Sequence, residues 1–271
     1  KKWIQQKINK NLVEKIKQDY DLADFLSNFV VNRNYDASEI FSINNNQKLT
    51  NIFINDSDFQ KASSIVLNII KKKEIICILG DYDVDGSCAT SLLVRYLNHI
   101  NQPHFFYIPD RTMDGYGASK KLFQKLILKK PKLIIMVDCG SNSNEAVDFL
   151  RQNNIKSIII DHHEINSPYP RSDALINPKK KISKKEPTLL CATTLTYFFL
   201  DVLIKKTKSD FKLSKFLIYA LLATICDVMP LRKINKIIAI NTIKNFDIKD
   251  NAAFDFIFSQ YNIKKKISIE D

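Results

Sequence analysis

The chain has 271 residues, of which 45% are hydrophobic, so it can bury one sizeable core and a smaller helical annex, and general disorder is excluded. No apolar run reaches the roughly 18 to 20 residues of a membrane span, and the first residues lack the hydrophobic region of a signal peptide, so we expect a soluble cytoplasmic protein. A net charge of +12 favours a polyanionic partner such as nucleic acid, although abundant lysine also fits an AT-rich genome.

Residues 1–45 are predicted to form a helical arm. Their apolar side chains recur at helical spacing, first from Ile8 to Ile16 and again from Leu22 to Phe29. A further helix is predicted at Phe59–Lys71, directly before the first apolar strand. The arm is therefore expected to precede the main domain as a separate element.

Three short apolar runs are predicted to be buried strands: Ile75–Leu79, Leu133–Val137 and Ile155–Ile160. Helical patterns follow or lie between them, at Ser87–His99, Ser119–Leu128 and Asn144–Gln152. A second apolar helical region runs from Thr188 to Leu231. Short apolar strands that alternate with helices predict an α/β fold, with a parallel β-sheet flanked by helices on both faces.

Glycine is scarce, and its positions are informative. Average usage of about 7% would place roughly 19 glycines in a chain of this length. The sequence has only five, and they fall in three short loops: Gly80, Gly86, Gly115, Gly117 and Gly140. We therefore expect backbone there that no side chain permits, through positive φ or a close approach.

The strongest motif is Asp81–Gly86 (DYDVDG), which follows a predicted strand and opens a helix. Three carboxylates at alternate positions repel one another unless a cation neutralises them, so the motif predicts a metal site. A calcium EF-hand loop also begins in this way. However, its twelfth position would be Leu92 instead of a glutamate, and a strand precedes the loop instead of a helix.

Acids and histidines also end the later elements. Asp138 follows the second strand, where by itself it could equally be an ordinary helix-capping residue. Asp161 follows the third strand and precedes His162 and His163, two of the four histidines in the chain. Asp227 ends an apolar helical run, where burial of an acid without a partner is costly.

Ligands bind at the carboxyl ends of parallel strands, so these groups are expected to share one pocket. Carboxylates with one or two imidazoles suit Mn²⁺ or Mg²⁺ better than a thiolate-seeking zinc site. Two such ions, about 3.5 to 4 Å apart, hold the attacking and leaving oxygens of an in-line phosphoryl displacement. The residues alone thus indicate metal-assisted hydrolysis of a phosphate ester.

The ordered motifs resemble the DHH phosphoesterase superfamily. Motifs I to IV of that superfamily are matched by Asp81–Gly86, Val137–Gly140, Asp161–His163 and Ala223–Leu231. Between the first two, Ile108–Arg111 and Asp114–Gly117 resemble the signature of the RecJ branch, the single-strand-specific 5′→3′ DNA exonucleases. The resemblance runs from about residue 51 to residue 240.

The resemblance implies a set of catalytic and metal-binding residues. The implied metal ligands are Asp81, Asp83, Asp85, Asp138, His162 and Asp227. Among them, Asp81 would be either a ligand or a supporting acid, and Asp138 would bridge two Mn²⁺ or Mg²⁺ ions. Asp83, Asp85, Asp138, His162, His163 and Asp227 would be the catalytic residues.

Other residues would support the histidines or face the substrate. Asp161 would support the two histidines without binding metal. His163 would contact the scissile phosphate or orient its neighbours. Arg111 would grip a phosphate and Tyr116 would stack on a base.

The sequence departs from the superfamily pattern at three places. Leu79 stands where other members often have histidine, Leu190–Thr194 replaces a glycine-containing helix start, and Lys236 follows Asn235 where arginine is usual. Neither of the last two changes removes an implied ligand.

The resemblance also predicts how the chain is organised into domains. It implies a helical arm at 1–45, a DHH catalytic domain at 46–245, and a connecting segment at 246–271 that would lead to a second (DHHA1) domain and an OB-fold. Groups from those further domains would help to grip the strand. We therefore expect the 271-residue chain to bind Mn²⁺ but to degrade single-stranded DNA poorly.

The implied function is a 5′→3′ exonuclease of DNA repair and recombination that acts as a monomer on single-stranded DNA, with single-strand-binding protein or a repair helicase as further partners. One alternative keeps the chemistry but takes short oligonucleotides or cyclic dinucleotides. Another is a non-catalytic nucleic-acid-binding module. The intact set of mutually repelling acids argues against that module, because nothing but catalysis would keep them together.

Overall fold

The computed structural model of the protein describes residues 7–44, 47–115, 117–180 and 189–260. The chain divides into two compact units, residues 1–49 and residues 50–271. Among the residues that are described, every helix falls short of the length and apolarity that a bilayer crossing requires.

The first unit is helical, as predicted for its described part. Its helices are α1 (Lys10–Tyr20), α2 (Asp24–Asn32) and α3 (Ala37–Asn44). A small core of Ile16, Leu22, Val30 and Ile40 holds them together. The N-terminus of α3 has a reciprocal cap, because the Glu39 side chain accepts from the Asp36 N–H and the Asp36 side chain accepts from the Glu39 N–H.

The second unit is built on a five-stranded sheet. Its strands are β1 (Ile76–Leu79), β2 (His104–Tyr107), β3 (Leu133–Val137), β4 (Lys156–Ile160) and β5 (Ala174–Ile176). The spatial order is β2-β1-β3-β4-β5, and every pairing is parallel. The three predicted strands are the three central ones, β1, β3 and β4, which confirms the parallel α/β fold.

Helices cover both faces of the sheet, as predicted. They are α4 (Ser57–Lys71), α5 (Val84–His99), α6 (Lys120–Leu126), α7 (Asn144–Gln152), α8 (Ala192–Thr207), α9 (Leu217–Cys226), α10 (Lys233–Asn245) and α11 (Ala252–Gln260). The apolar region predicted as helical from Thr188 to Leu231 thus contains two helices, α8 and α9. Thr188 itself lies outside the described residues.

Alternate strand residues face two different cores. Cys77 and Leu79 of β1 and Met136 of β3 pack with residues of α6 and α7, including Phe123 and Val147. The opposite face of the sheet contacts α5 and α8. The helix that follows β1, α5, therefore lies on one face of the sheet, and the helix that follows β3, α7, lies on the other. Because the two connections run in opposite directions, a crevice forms at the carboxyl ends of these adjacent strands.

Candidate metal centre

The loop after β1 brings its three carboxylates to this crevice. Asp83 is the N-cap of α5 and accepts from the Gly86 N–H at 2.9 Å. Asp81 and Asp85 are buried, at 2% and 1% exposure, whereas Asp83 is exposed. A Cβ added to Gly86 would lie 2.5 Å from the main-chain N and O of Asp81. Glycine is therefore required here because the loop and the helix start approach too closely for any side chain.

Asp85 is held by a helix far along the chain. Its Oδ2 accepts from the Ala192 N–H at 2.6 Å and its Oδ1 accepts from the Thr193 N–H at 2.7 Å. These are the first two residues of α8, whose own preceding residue, Cys191, supplies no side-chain cap. Asp85 therefore caps α8 from a distance, which the sequence patterns did not indicate.

Asp138 follows β3 in a strained backbone conformation. Its φ is +61°, in the left-handed region that L-residues avoid, and its N–H donates to the Ile160 carbonyl oxygen. The side chain is 1% exposed, and neither carboxylate oxygen has a hydrogen-bond partner within the described part of the chain. Burial, reinforced by the charges of Asp85 and Asp83, raises the pKa of Asp138 far above its usual range.

The His162 ring lies among three carboxylates. Its Nε2 is 3.2 Å from Asp138 Oδ1, 3.5 Å from Asp227 Oδ2 and 3.6 Å from Asp85 Oδ2. Of the atoms that the structure describes, none forms a hydrogen bond with His162 Nε2 or with Asp227 Oδ2, although both are buried. Unpartnered buried polar atoms are costly, so their convergence indicates a site that can bind a cation.

Asp161 lies behind the two histidines and orients them. Its Oδ1 accepts from the His162 N–H at 2.7 Å and from His163 Nδ1 at 2.8 Å, and its Oδ2 accepts from the Ser141 N–H at 3.0 Å. Burial alone would raise the pKa of Asp161, but the hydrogen bonds and charge of His163, with the Ser141 bond, outweigh it and hold the pKa well below its usual range. The same contact with Asp161 raises the pKa of His163.

Asp227 reaches the crevice from the C-terminal end of α9. An acid is unfavourable there because the helix dipole is negative at that end. Burial raises the pKa of Asp227, although the charge of His162 partly offsets the effect. The next residue, Val228, has a φ of +54°, which a β-branched side chain strongly disfavours. Strain and charge thus coincide at this position, as expected of a functional site.

The potential ligand atoms form three overlapping sets, each within 4.8 Å. The sets are Asp81 with Asp83 and Asp138, then Asp138 with His162 and His163, and finally Asp85 with His162 and Asp227. Asp138 and His162 each belong to two sets. All six residues predicted as ligands therefore lie in one continuous cluster, and its oxygen and imidazole donors fit a hard divalent cation.

Of the two residues predicted only to face the substrate, Arg111 lies in the described part of the chain and Tyr116 does not. The Arg111 guanidinium lies over the Tyr82 ring, 5.4 Å from its centroid, beside the first acidic loop. Tyr116 lies outside the described residues. Between them, Asp114 accepts from the Tyr107 hydroxyl at 2.6 Å and from the Lys125 ammonium at 2.9 Å, which ties the turn after β2 to α6.

Asn177 is a polar contributor that the sequence patterns missed. It follows β5, and its Nδ2 donates to Ser141 Oγ at 2.7 Å and to the His163 carbonyl oxygen at 2.9 Å. It therefore links the loops after β3 and β4. Only the recognition of β5 as a strand could have revealed it.

The EF-hand alternative is incompatible with the structure. Leu92, which would be the twelfth position, is a fully buried residue of α5, and β1 precedes the loop. Leu79, at the position where histidine is common in the DHH superfamily, is buried in the core shared with α6 and α7. It contributes no ligand.

A comparison of the sequence with known protein families identifies the same part of the chain as the candidate metal centre does. Residues 75–225 match the family described as DHH family, N-terminal domain. The chain belongs to the DHH family. The match runs from β1 into α9 and includes every candidate ligand except Asp227, which lies two residues beyond its end.

The chain is also similar to curated RecJ proteins. It is 26% identical over 247 residues to the single-stranded-DNA-specific exonuclease RecJ of Bacillus subtilis, covering 88% of this chain and 30% of that protein. It is 28% identical over 194 residues to the RecJ of Escherichia coli, covering 67% of this chain and 33% of that protein. The chain thus spans about a third of the length of these relatives.

Solved structures show the same fold. RecJ from Thermus thermophilus in complex with Mn²⁺ superposes with a TM-score of 0.74 at 18% identity, covering 93% of this chain and 36% of that one. An exonuclease RecJ bound to manganese gives a TM-score of 0.68 at 22% identity, covering 77% of this chain and 53% of that one. At these identities the likeness concerns the fold.

Proposed function

We infer that this DHH domain is the catalytic part of a metal-dependent phosphodiesterase, a 5′→3′ exonuclease on single-stranded DNA that uses two divalent ions, Mn²⁺ or Mg²⁺. The observation that carries this proposal is the convergence of buried, unpartnered atoms: both Asp138 oxygens, His162 Nε2 and Asp227 Oδ2. A protein that did not bind metal would become more stable if these buried polar side chains were replaced by apolar ones.

Two of the three overlapping sets of ligand atoms would provide the two ion positions. Asp81, Asp83 and Asp138 would hold one ion, and Asp85, His162 and Asp227 would hold the other, with Asp138 between them. Similar RecJ structures were solved with bound Mn²⁺ or Mg²⁺, which supports the choice of metal. Bound divalent cations supply Lewis acidity and neutralise charge during in-line phosphoryl displacement.

The chain's own residues would position and neutralise the substrate. His163 is half-exposed, and Asp161 orients its ring and raises its pKa, so a protonated His163 would contact the scissile phosphate. Arg111, stacked on Tyr82 at the rim of the first acidic loop, would grip a second phosphate. Stacking of a base on Tyr116 stays a prediction.

A single-stranded DNA substrate is supported by two observations. The curated relatives are single-stranded-DNA-specific exonucleases, and the net charge of this chain is +12. A role in repair and recombination, contacts with single-strand-binding protein or a helicase, and a monomeric, cytoplasmic state belong to the same proposal. They depend on the likeness to those relatives.

A nuclease assay with 5′-phosphorylated single-stranded DNA and Mn²⁺ tests the proposal. We expect slow shortening of the strand from its 5′ end, and we expect EDTA or Asp138→Ala to abolish it. Asp148→Ala is the matched control, because Asp148 lies outside the cluster and pairs with Arg171. Cleavage that survives both EDTA and Asp138→Ala would refute the metal-dependent mechanism.

Two further measurements separate the alternatives. Faster hydrolysis of dinucleotides or cyclic dinucleotides than of long strands would assign the site to small substrates. Binding of single-stranded DNA without any binding of Mn²⁺, measured by isothermal titration calorimetry, would make the domain a non-catalytic module.

A further inference from the structure

The start of α8 is fully buried, and it depends on the candidate metal centre for its cap. Ala192, Thr193 and Thr194 are 0% exposed, so water cannot satisfy the free N–H groups of the first helical turn. The residue before the helix, Cys191, makes no side-chain cap. Asp85 accepts from two of these N–H groups through its two carboxylate oxygens.

Thr193 binds Asp85 at two separate points. Its N–H donates to Asp85 Oδ1 at 2.7 Å, and its hydroxyl donates to the Asp85 carbonyl oxygen at 2.8 Å. One residue thus holds both the side chain and the main chain of Asp85, which fixes the carboxylate relative to α5. The hydroxyl contact is not itself part of the cap, since the Asp85 side-chain oxygens already accept from the Ala192 and Thr193 N–H groups.

The Asp85 carboxylate has capacity for a cation as well. An ionised carboxylate offers about four lone-pair positions, and the amides of Ala192 and Thr193 occupy two of them. Its Oδ2 is 3.6 Å from His162 Nε2, and both residues belong to the set that includes Asp227. The same carboxylate therefore caps the helix and faces the candidate ion position.

We propose that Thr193 is a positioning residue that fixes Asp85 as a metal ligand, so that cation affinity depends on the first turn of α8. This inference rests on the metal binding of the proposed function. A purely structural cap would affect the stability of the fold but not its affinity for a cation, and this difference allows a test.

The test compares Thr193→Val with Thr193→Ser. Valine has the shape of threonine but lacks the hydroxyl, whereas serine keeps it. We expect Thr193→Val to weaken Mn²⁺ binding about fivefold, the effect of losing one hydrogen bond, and Thr193→Ser to restore most of that loss. Affinity is measured by isothermal titration calorimetry with MnCl₂, and stability by thermal melting in EDTA.

Thr196→Val is the matched control from the next turn of the same helix. The Thr196 hydroxyl is buried and has no hydrogen-bond partner among the described residues, so its removal should leave the Mn²⁺ affinity unchanged. A second probe, Ala192→Pro, replaces the N–H that donates to Asp85 Oδ2 with the proline Cδ, which must displace that oxygen because the N···O distance is only 2.6 Å. Proline suits the first position of a helix, and the extended backbone of Cys191 permits it. We expect this variant to lose at least about tenfold in affinity.

The outcomes are distinct. If Thr193→Val melts lower in EDTA but binds Mn²⁺ as tightly as the wild type, Thr193 only stabilises the fold and the inference is wrong. If the affinity falls with valine and returns with serine, the inference holds, whatever the melting temperature in EDTA. If the wild-type protein binds no Mn²⁺, the proposed metal site itself fails, and that result is separate from either outcome at Thr193.

Discussion

Replacement of Asp138 by asparagine should stabilise the metal-free protein, and bound Mn²⁺ should cancel that advantage over the wild type. The Asp138 carboxylate is 1% exposed, has no hydrogen-bond partner among the described residues, and lies within 4.8 Å of ligand atoms of Asp81 and Asp83. At 4.8 Å and an effective dielectric constant of about 20, two like charges repel by about 3.5 kcal/mol. Without metal, the folded protein must either bear this repulsion or keep Asp138 protonated, which at neutral pH costs roughly 4 kcal/mol relative to the ordinary pKa of 3.8. Asp138→Asn removes this cost and should therefore stabilise the protein by about 3 kcal/mol.

The same reasoning predicts a pH dependence. The pKa of Asp138 in the folded protein lies above the value of 3.8 for the free carboxyl, so ionisation opposes folding. The metal-free wild type should thus lose stability as the pH rises above about 4, and Asp138→Asn should lose less. Asparagine also tolerates the positive φ of this position better than most residues.

Thermal melting followed by circular dichroism checks both effects. In EDTA at neutral pH, a gain of about 3 kcal/mol corresponds to a melting temperature roughly 6 to 12 °C higher for the variant. With Mn²⁺ at about 100 times its dissociation constant, the wild type should gain about 2.7 kcal/mol and the variant almost nothing. Asp148→Asn, which removes an acid outside the cluster, should show no gain in EDTA.

Two results would contradict this reasoning. If Asp138→Asn melts at or below the wild-type temperature in EDTA, the buried charge is not a cost to the fold. If Mn²⁺ stabilises the variant as much as the wild type, Asp138 is not a ligand.

Three further predictions concern the acidic loop after β1, the histidine pair and the contact between Arg111 and Tyr82. Gly86→Ala should abolish Mn²⁺ binding in calorimetry, because its Cβ would lie 2.5 Å from main-chain atoms of the preceding loop; unchanged affinity would mean that the loop can move. Asp161→Asn should lower the pKa of His163 toward its ordinary 6.5, measured by NMR titration in EDTA, and reduce nuclease activity about 10- to 100-fold. Tyr82→Leu should weaken binding of a 5′-phosphorylated oligonucleotide about two- to fivefold by fluorescence anisotropy, whereas Tyr82→Phe should not, because phenylalanine keeps the ring under Arg111.

The three central strands could be predicted because burial on both faces demands continuous apolar runs. The two edge strands could not. In β2, Phe106 is 53% exposed, so its run lacks the signature of a buried strand, and β5 has only three residues. Asn177 was missed together with β5.

The acidic cluster was predictable for a topological reason. The carboxyl ends of parallel strands meet at one edge, so acids that follow β1, β3 and β4 must lie near one another. The glycines beside two of these acids were also informative. Gly86 packs against main-chain atoms, and Gly140 has a φ of +106°, the two conditions that exclude other residues.

By itself, the sequence determined the three central strands, the acids and histidines that follow them and the kind of cation they suit, because strand periodicity and ligand chemistry are local properties. Only the tertiary structure decided what each oxygen does. The Asp85 carboxylate caps a helix that begins more than 100 residues later, whereas the Asp138 carboxylate has no hydrogen-bond partner among the described residues. Such pairings depend on distances between segments that are remote in the chain, and no local pattern encodes them.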